Sequence, residues 1–411
     1  MSSKLEEISG GTCAPKGFRC SGVSCGIKDP ESDKLDLALI YSKYPTVGAA
    51  VFTQNEVAAA PVQLSSNYIK TTEPQAIIAN SGNANACTGV IGTEHARRMA
   101  VLASRALGIK QRAVQVCSTG IIGVPLPIER IESKIPELVE GLEKDGGTAA
   151  EAIMTSDTKP KSYSVKLTIN GEAIRIGAIA KGAGMINPHM ATMLCFVTTD
   201  AAISKAEIVA ATQDAVSASF NRISVDGDMS TNDTVVVMAN HRAGNRPITR
   251  AGKGSKEFRE ALSHVMLNLA KKIVADGERV TKLVEVQVRG AASLIDAQRV
   301  ARAVANSKLV KCSWNGNDPN WGRVIHAVGY SGARVKEQLI DIFFGGVAAT
   351  RGGLATDTPL QDLVDVVKER EFTVGIDLNL GKGSYNIYTA DLSPEYVEFN
   401  REEYALNRMK K

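Results

Sequence analysis

Between positions 181 and 198 the chain reads Lys-Gly-Ala-Gly-Met-Ile-Asn-Pro-His-Met-Ala-Thr-Met-Leu-Cys-Phe-Val-Thr. A loop containing Gly182, Gly184 and Pro188 runs into Ala191 and Thr192, and an apolar strand begins directly behind them. A Thr that heads a buried strand after a small residue is what an N-terminal-nucleophile enzyme needs. Its Oγ can attack the Ala191 carbonyl, and hydrolysis of the resulting ester frees the Thr192 α-amine. That amine, with a reference pKa of ~7.7–8.0, can then act as the general base for its own hydroxyl. An ordinary strand start looks the same, so the residues alone leave both readings open.

Other strings resemble chemistry and fail on context. Gly22-Val-Ser24-Cys-Gly26 spells a nucleophile elbow, which must follow a strand and open a helix. Pro30 comes four residues after Gly26 and the preceding KGFRCSG reads as no buried strand, so a glycine-rich turn is expected. Residues 225–234 concentrate carboxylates and hydroxyls without the EF-hand order; an Asx-type turn network feeding a strand at 234–239 is expected instead. Residues 80–89 are rich in amides, turn tightly and could line a polar pocket, while 318–323 read as a turn anchoring a Trp. His189 has no Ser-His-Asp assembly around it and reads as structural. Lys181-Gly-Ala-Gly184 has the Lys at the wrong end for a phosphate loop, and no G-x-G-x-x-G follows a strand. Cys13, Cys20 and Cys25 lack the tight pairs of a zinc site. No metal or other cofactor is expected.

The elements that must position these residues alternate along the chain. Apolar runs at 35–40, 76–79 and 114–117 read as buried strands, and 162–180 as a hairpin turning on Asn170-Gly171. Helices are expected at 93–107, 203–218, 254–275, 293–306 and 359–369, with capping boxes at Ser204/Glu207 and Ser293/Asp296. The class is mixed α/β, with no boundary readable from composition. The 411 residues suggest two or three domains or one large one. A net charge of +4 and 5% aromatics argue against nucleic acid as partner, and no run is long and apolar enough to span a membrane. Seven scattered cysteines, an odd number, fit free thiols in the cytoplasm.

The segment around Thr192 resembles the ornithine acetyltransferase (glutamate N-acetyltransferase) family of arginine biosynthesis, the ArgJ family, whose members cleave themselves before the Thr of an A-T-M-L motif. The likeness extends to TCAPKGFRCSGVSCGIK (12–28), NSGNANACTG (80–89), STGIIG (118–123), SFNRISVDGDMSTNDT (219–234), DGERVTK (276–282) and GNDPNWGRVIHAVGYSG (316–332). These blocks run in family order to about residue 400.

The resemblance implies stacked sheets covered by helices in an N-terminal-nucleophile-like, self-processing fold. It implies cleavage between Ala191 and Thr192, giving pieces 1–191 and 192–411 that stay together as one intertwined unit and pair into an α₂β₂ assembly. Thr192 would be the nucleophile, Thr119 and Gly120 the oxyanion hole, and Thr158, Lys181, Thr192, Glu278 and Asn400 substrate contacts. The bland counterpart for Lys181 is a solvated hairpin-end Lys, and for Glu278 a turn residue after a helix. The implied reaction is ping-pong transfer of acetyl from N-acetylornithine to glutamate, with acetyl-CoA as a second donor in some members. The chain's end departs from the family, whose Asn is followed five residues on by Thr or Ser. Asn400 is followed at that spacing by Ala405, and a register slid by one offers Arg401 and Leu406. Two alternatives stand beside the transferase: a related amidase or aminopeptidase with water as acceptor, and a non-catalytic binding module.

Overall fold

The computed structural model describes residues 5–143, 146–187 and 193–409, with side chains of the last helix described as far as Glu402. Two compact units emerge, one of residues 1–221 and 228–273, the other of 222–227 and 274–411. The division falls inside the helix Ser255–Ala275, which is why no linker composition marks it.

Among the described residues the first unit holds two sheets. The larger runs, edge to edge, Glu6–Glu7, Lys161–Ile169, Glu172–Lys181, Leu194–Thr199, Thr234–Ala239 and Val47–Phe52. The smaller runs Phe18–Val23, Leu37–Ser42, Ala76–Asn80 and Val114–Ser118, the last pair parallel. Side chains alternate faces along a strand, so strands buried on both sides read as continuous apolar runs. Ile40, Ile77 and Cys117 of the small sheet share one core with Ile179, Leu194, Phe196 and Val236 of the large one. On the small sheet's other face Leu39, Ile78 and Val116 pack against the helices Gly89–Leu107 and Ile128–Glu140. Helix Lys205–Ala218 runs along the strand Val47–Phe52 of the large sheet. The expected α/β class with stacked, helix-covered sheets is therefore what forms.

The hairpin turns where its sequence requires, with Asn170 at φ 55° and Gly171 at φ 88°. The Ser204 cap is half a capping box. Its hydroxyl takes the Glu207 N–H at 3.3 Å, but the Glu207 carboxylate turns inward to Ser255 and Arg259. One expectation is overturned: Phe18–Val23 is a largely buried strand, paired antiparallel with Leu37–Ser42. Gly22 is what lets it pass under the backbone of Thr148, where an added Cβ would lie 2.3 Å from that carbonyl oxygen. No helix follows this strand, so the elbow reading of Ser24 still fails.

The second unit is a sheet ordered Ile223–Ser224, Gly383–Ala390, Leu283–Ala291, Glu371–Asp377, Asp341–Phe344, Val347–Arg351 and Leu354–Ala355. Val284, Val286 and Val288 face a core shared with helices Leu294–Asn306, Lys308–Asn315, Trp321–Gly329 and Leu360–Lys368. Residues 318–323 do more than anchor Trp321 in a turn: Asn320 Oδ1 accepts the Arg323 N–H at 3.1 Å and caps a helix the sequence reading missed. All seven cysteines are free thiols.

Candidate active site

The parallel strands Ala76–Asn80 and Val114–Ser118 end level with one another, so the loops that leave them lie side by side. Thr119 gives its backbone N–H to Asn80 O at 2.9 Å, and Asn83 bridges to both Thr119 and Ile121. Between them Gly120 takes φ +136°, where an added Cβ would sit 2.3 Å from Gly82 C and 2.5 Å from Asn83 N. Only glycine permits that approach. No described residue accepts the Gly120 N–H, which leaves it as a preset donor. The amides of the 80–89 loop brace this arrangement rather than facing outward. Asn80 Nδ2 donates to Asn83 O at 2.9 Å and Asn83 Nδ2 to Val124 O at 3.1 Å. Asn232, in the expected turn network before the strand Thr234–Ala239, donates to Ala84 O and Ser118 O at 2.7 and 2.9 Å.

Lys181 ends its strand 2% exposed, which rules out the solvated hairpin-end alternative. Its Nζ donates to Thr119 Oγ1 at 3.2 Å and to Thr155 Oγ1 at 2.7 Å. An ammonium can only donate, so the Thr119 oxygen is the acceptor there and its own hydrogen is directed elsewhere. Thr119 thus offers an O–H, Gly120 an N–H and Lys181 a positive charge, the three components an oxyanion calls for.

Asp157 organises the rear of this cluster. Its Oδ1 accepts Lys161 Nζ at 2.6 Å and Gly182 N at 2.8 Å, and Oδ2 accepts Thr155 N at 3.0 Å. Burial by itself would raise its pKa, but the ammonium groups of Lys181 and Lys161 and the Gly182 N–H outweigh it and hold the carboxyl well below its usual range. Two lysines facing one carboxylate leave a surplus of positive charge.

Asp233 behaves in the opposite way. Burial pushes its carboxyl well above the usual range, against the Met193 N–H, the Lys181 charge and the Thr53 hydroxyl, which favour ionisation. Its Oδ1 accepts Met193 N at 2.9 Å and its Oδ2 has no partner among the described residues. Thr234 N in turn donates to Met193 O at 3.1 Å, and Leu194 pairs with Lys181 and Thr234 on either side. His189, Ala191 and Thr192 lie outside the described residues.

Of the remaining expected contacts, Thr158 is exposed in the loop immediately after Asp157. Glu278 and Asn400 belong to the second unit, where they meet: Asn400 Nδ2 donates to Glu278 Oε2 at 3.2 Å. Arg401, one residue on, pairs with Glu398 at 2.8 Å on the surface of the same helix. Ala405 and Leu406 lie on the helix Pro394–Met409, beyond its described side chains. Sequence reasoning missed Thr155, Asp157, Lys161 and Asp233. The run Thr-Ser-Asp-Thr-Lys-Pro-Lys at 155–161 carried a signal in its alternating hydroxyls and charges; Asp233, inside a run read as a turn, carried none.

The sequence profile described as the ArgJ family matches residues 19–405. The arginine biosynthesis bifunctional protein ArgJ of Geobacter sulfurreducens is 49% identical over 94% of this chain and 98% of its own length. That of Symbiobacterium thermophilum is 46% identical over 96% of this chain and 99% of its own length. The glutamate N-acetyltransferase of Methanocaldococcus jannaschii is 43% identical over 97% and 99%.

Proposed function

The chain belongs to the ArgJ family of acyltransferases, and from that premise we propose that it moves acetyl from N-acetylornithine to glutamate through an acetyl ester on Thr192. The Thr192 hydroxyl attacks the acetyl carbonyl, giving its proton to the Thr192 α-amine. The carbonyl oxygen becomes an alkoxide, which the Thr119 hydroxyl and Gly120 N–H receive beside the Lys181 ammonium. Collapse breaks the C–N bond, and the proton held by the amine leaves with ornithine's nitrogen. Glutamate's amine then attacks the ester, passes through the same kind of alkoxide, and returns the proton to the Thr192 oxygen as N-acetylglutamate departs. Positive charge at Lys181 suits substrate carboxylates as well as the alkoxide, and the Glu278 carboxylate, held by Asn400, suits ornithine's side-chain ammonium. Thr158 completes the substrate contacts. Acetyl-CoA is a candidate second donor, which would make the protein bifunctional.

The nucleophile arises by self-cleavage in this reading. Thr192 Oγ attacks the Ala191 carbonyl and water releases pieces 1–191 and 192–411. The cut falls within the first compact unit, so neither piece is a domain. The strand Leu194–Thr199, which follows the cut, stays hydrogen-bonded between strands on both sides, which favours retention of the pieces as one unit. Two of each piece would form the assembly. Free thiols throughout fit a cytoplasmic enzyme, and among the described residues no helix is long and apolar enough to cross a membrane.

The observation that carries the proposal is the Gly120 N–H, without a partner among the described residues, next to a Thr119 hydroxyl whose oxygen already accepts from Lys181. Intact-mass measurement of the expressed protein tests it: two polypeptides are expected, the second led by Thr192, and Thr192→Ala should remain one chain. Incubation with N-acetylornithine and glutamate should give ornithine and N-acetylglutamate. Free acetate without N-acetylglutamate would assign the protein to the water-using amidases instead, and an uncleaved, inert wild type would leave a binding module.

A further inference from the structure

The loop after the short helix Gly147–Ala152 holds a hydroxyl to which the transfer mechanism gives no part. Thr155 Oγ1 accepts Lys181 Nζ at 2.7 Å, a shorter contact than the 3.2 Å from the same ammonium to Thr119 Oγ1. The Thr155 backbone is held at both of its polar groups. Its N–H donates to Asp157 Oδ2 at 3.0 Å, and its carbonyl accepts Lys34 Nζ at 3.0 Å. The other oxygen of the same carboxylate, Asp157 Oδ1, accepts the Gly182 N–H at 2.8 Å. One buried carboxylate therefore ties the loop carrying Thr155 to the strand end carrying Lys181, and sets the separation across which their side chains meet.

A lysine ammonium sits on a flexible stem and turns freely until acceptors fix it. Its three hydrogens diverge, so the acceptor that takes one decides where the others point. Thr155, anchored through its own backbone, is the fixed partner. Thr119 Oγ1 is the second acceptor, and a hydroxyl that accepts on one side directs its hydrogen away from that side.

We propose that Thr155 is a positioning residue for the oxyanion hole: it seats the Lys181 ammonium, and through it turns the Thr119 hydroxyl hydrogen towards the developing alkoxide. The inference deepens the acyl-transfer reading and rests on Thr119 being an oxyanion donor. Thr155 itself touches no reacting atom, and what it supplies is an oxygen at a fixed place.

Thr155→Val keeps the shape of the side chain and removes that oxygen, whereas Thr155→Ser keeps the oxygen and removes a methyl group. In the full-length protein, at saturating N-acetylornithine and glutamate, T155V should lower kcat about 10- to 100-fold, the worth of one hydrogen bond to a charged group, and T155S should stay within about threefold of wild type. The same substitution in a Lys181→Met background supplies a second readout. With no ammonium to seat, T155V should cost less than about twofold there. Wild-type kcat in T155V overturns the inference and leaves the oxyanion hole standing. An equal loss from T155V in both backgrounds overturns it too, because Thr155 would then act without Lys181. So does a T155S as slow as T155V, since the loss would follow the residue's shape and not its oxygen. Thr155→Ala carries the same comparison should T155V fail to fold, and should K181M be inert the contrast between T155V and T155S decides. Wild-type kcat in Thr119→Val removes the oxyanion reading, and this inference with it.

Discussion

Gly120→Ala tests the oxyanion hole at the point where the structure is least forgiving. The new Cβ would stand 2.3 Å from the Gly82 carbonyl carbon, 2.5 Å from Asn83 N and 2.7 Å from Gly82 O. Carbon–carbon contacts settle near ~3.5–4.0 Å, so the two loops must part by roughly 1 Å. The obstruction is backbone on both sides, and no side chain can rotate to relieve it. Forcing an L-residue to φ +136° adds strain of ~1–3 kcal/mol, and overpacking a further ~1–3 kcal/mol. The protein should therefore lose about 2–6 kcal/mol of stability. Displacement of the Gly120 N–H, and of the Thr119 hydroxyl with it, should lower kcat by roughly 10²–10³, the worth of one oxyanion donor, with KM less affected. Gly123→Ala is the matched control, since that residue lies in the same loop at φ +82° with nothing within 4 Å of its added Cβ. It should show strain without displacement: a cost of about 1 kcal/mol and activity within a few-fold of wild type. Initial rates of N-acetylglutamate formation, with urea unfolding and intact mass in parallel, read all three effects. A G120A protein that cleaves and turns over within about threefold of wild type would refute the assignment.

Asp157→Asn should destabilise the protein by ~3–5 kcal/mol in urea unfolding, because it removes one charge of the buried ion pair that Asp157 makes with Lys161, itself 1% exposed. Since the native Asp157 carboxyl is held below its usual range, its contribution is fully present above about pH 5 and is lost as pH falls through the native value, so wild type and D157N should converge in acid. Glu278→Gln should lower kcat/KM for N-acetylornithine roughly 10–100-fold, the value of one charge-assisted hydrogen bond, without preventing cleavage; an unchanged kcat/KM would remove Glu278 from ammonium recognition. Lys311 is wholly buried, donating to Thr389 and the Ala390 carbonyl, and burial lowers its pKa to about 8 despite the Asp391 and Asp226 charges. The unfolded chain holds that proton to about pH 10.4, so wild-type stability relative to Lys311→Met should rise between pH 8 and 10 by up to about 3 kcal/mol; a difference independent of pH would refute the shift.

The sequence was most legible where local chemistry and tertiary demand coincide. Asn170-Gly171 could only turn, and the apolar runs at 76–79 and 114–117 could only be buried, so these elements formed where their residues placed them. It was least legible where a strand borrows its stability from elsewhere. Phe18–Val23 contains Arg19, Ser21 and Gly22 and looks like a loop, yet pairing with Leu37–Ser42 and the passage of Thr148 over Gly22 make it a strand. Lys181 was equally consistent with a solvated hairpin end and with a buried site residue, and the difference lies in partners 62 and 26 positions away.

The order and spelling of the motifs, from STG through A-T-M-L to DGE, determined by themselves which family the chain joins and which residues the acyl-transfer proposal names. Those facts are encoded residue by residue and survive without a fold. Tertiary structure decided which of these groups carry charge and which stay free. Asp157 and Asp233 are the same residue in comparably polar runs, yet two ammonium groups hold one carboxyl well below its usual range and burial pushes the other well above it. A charge state depends on desolvation and on neighbours brought from distant strands, and neither exists until the sheets have stacked.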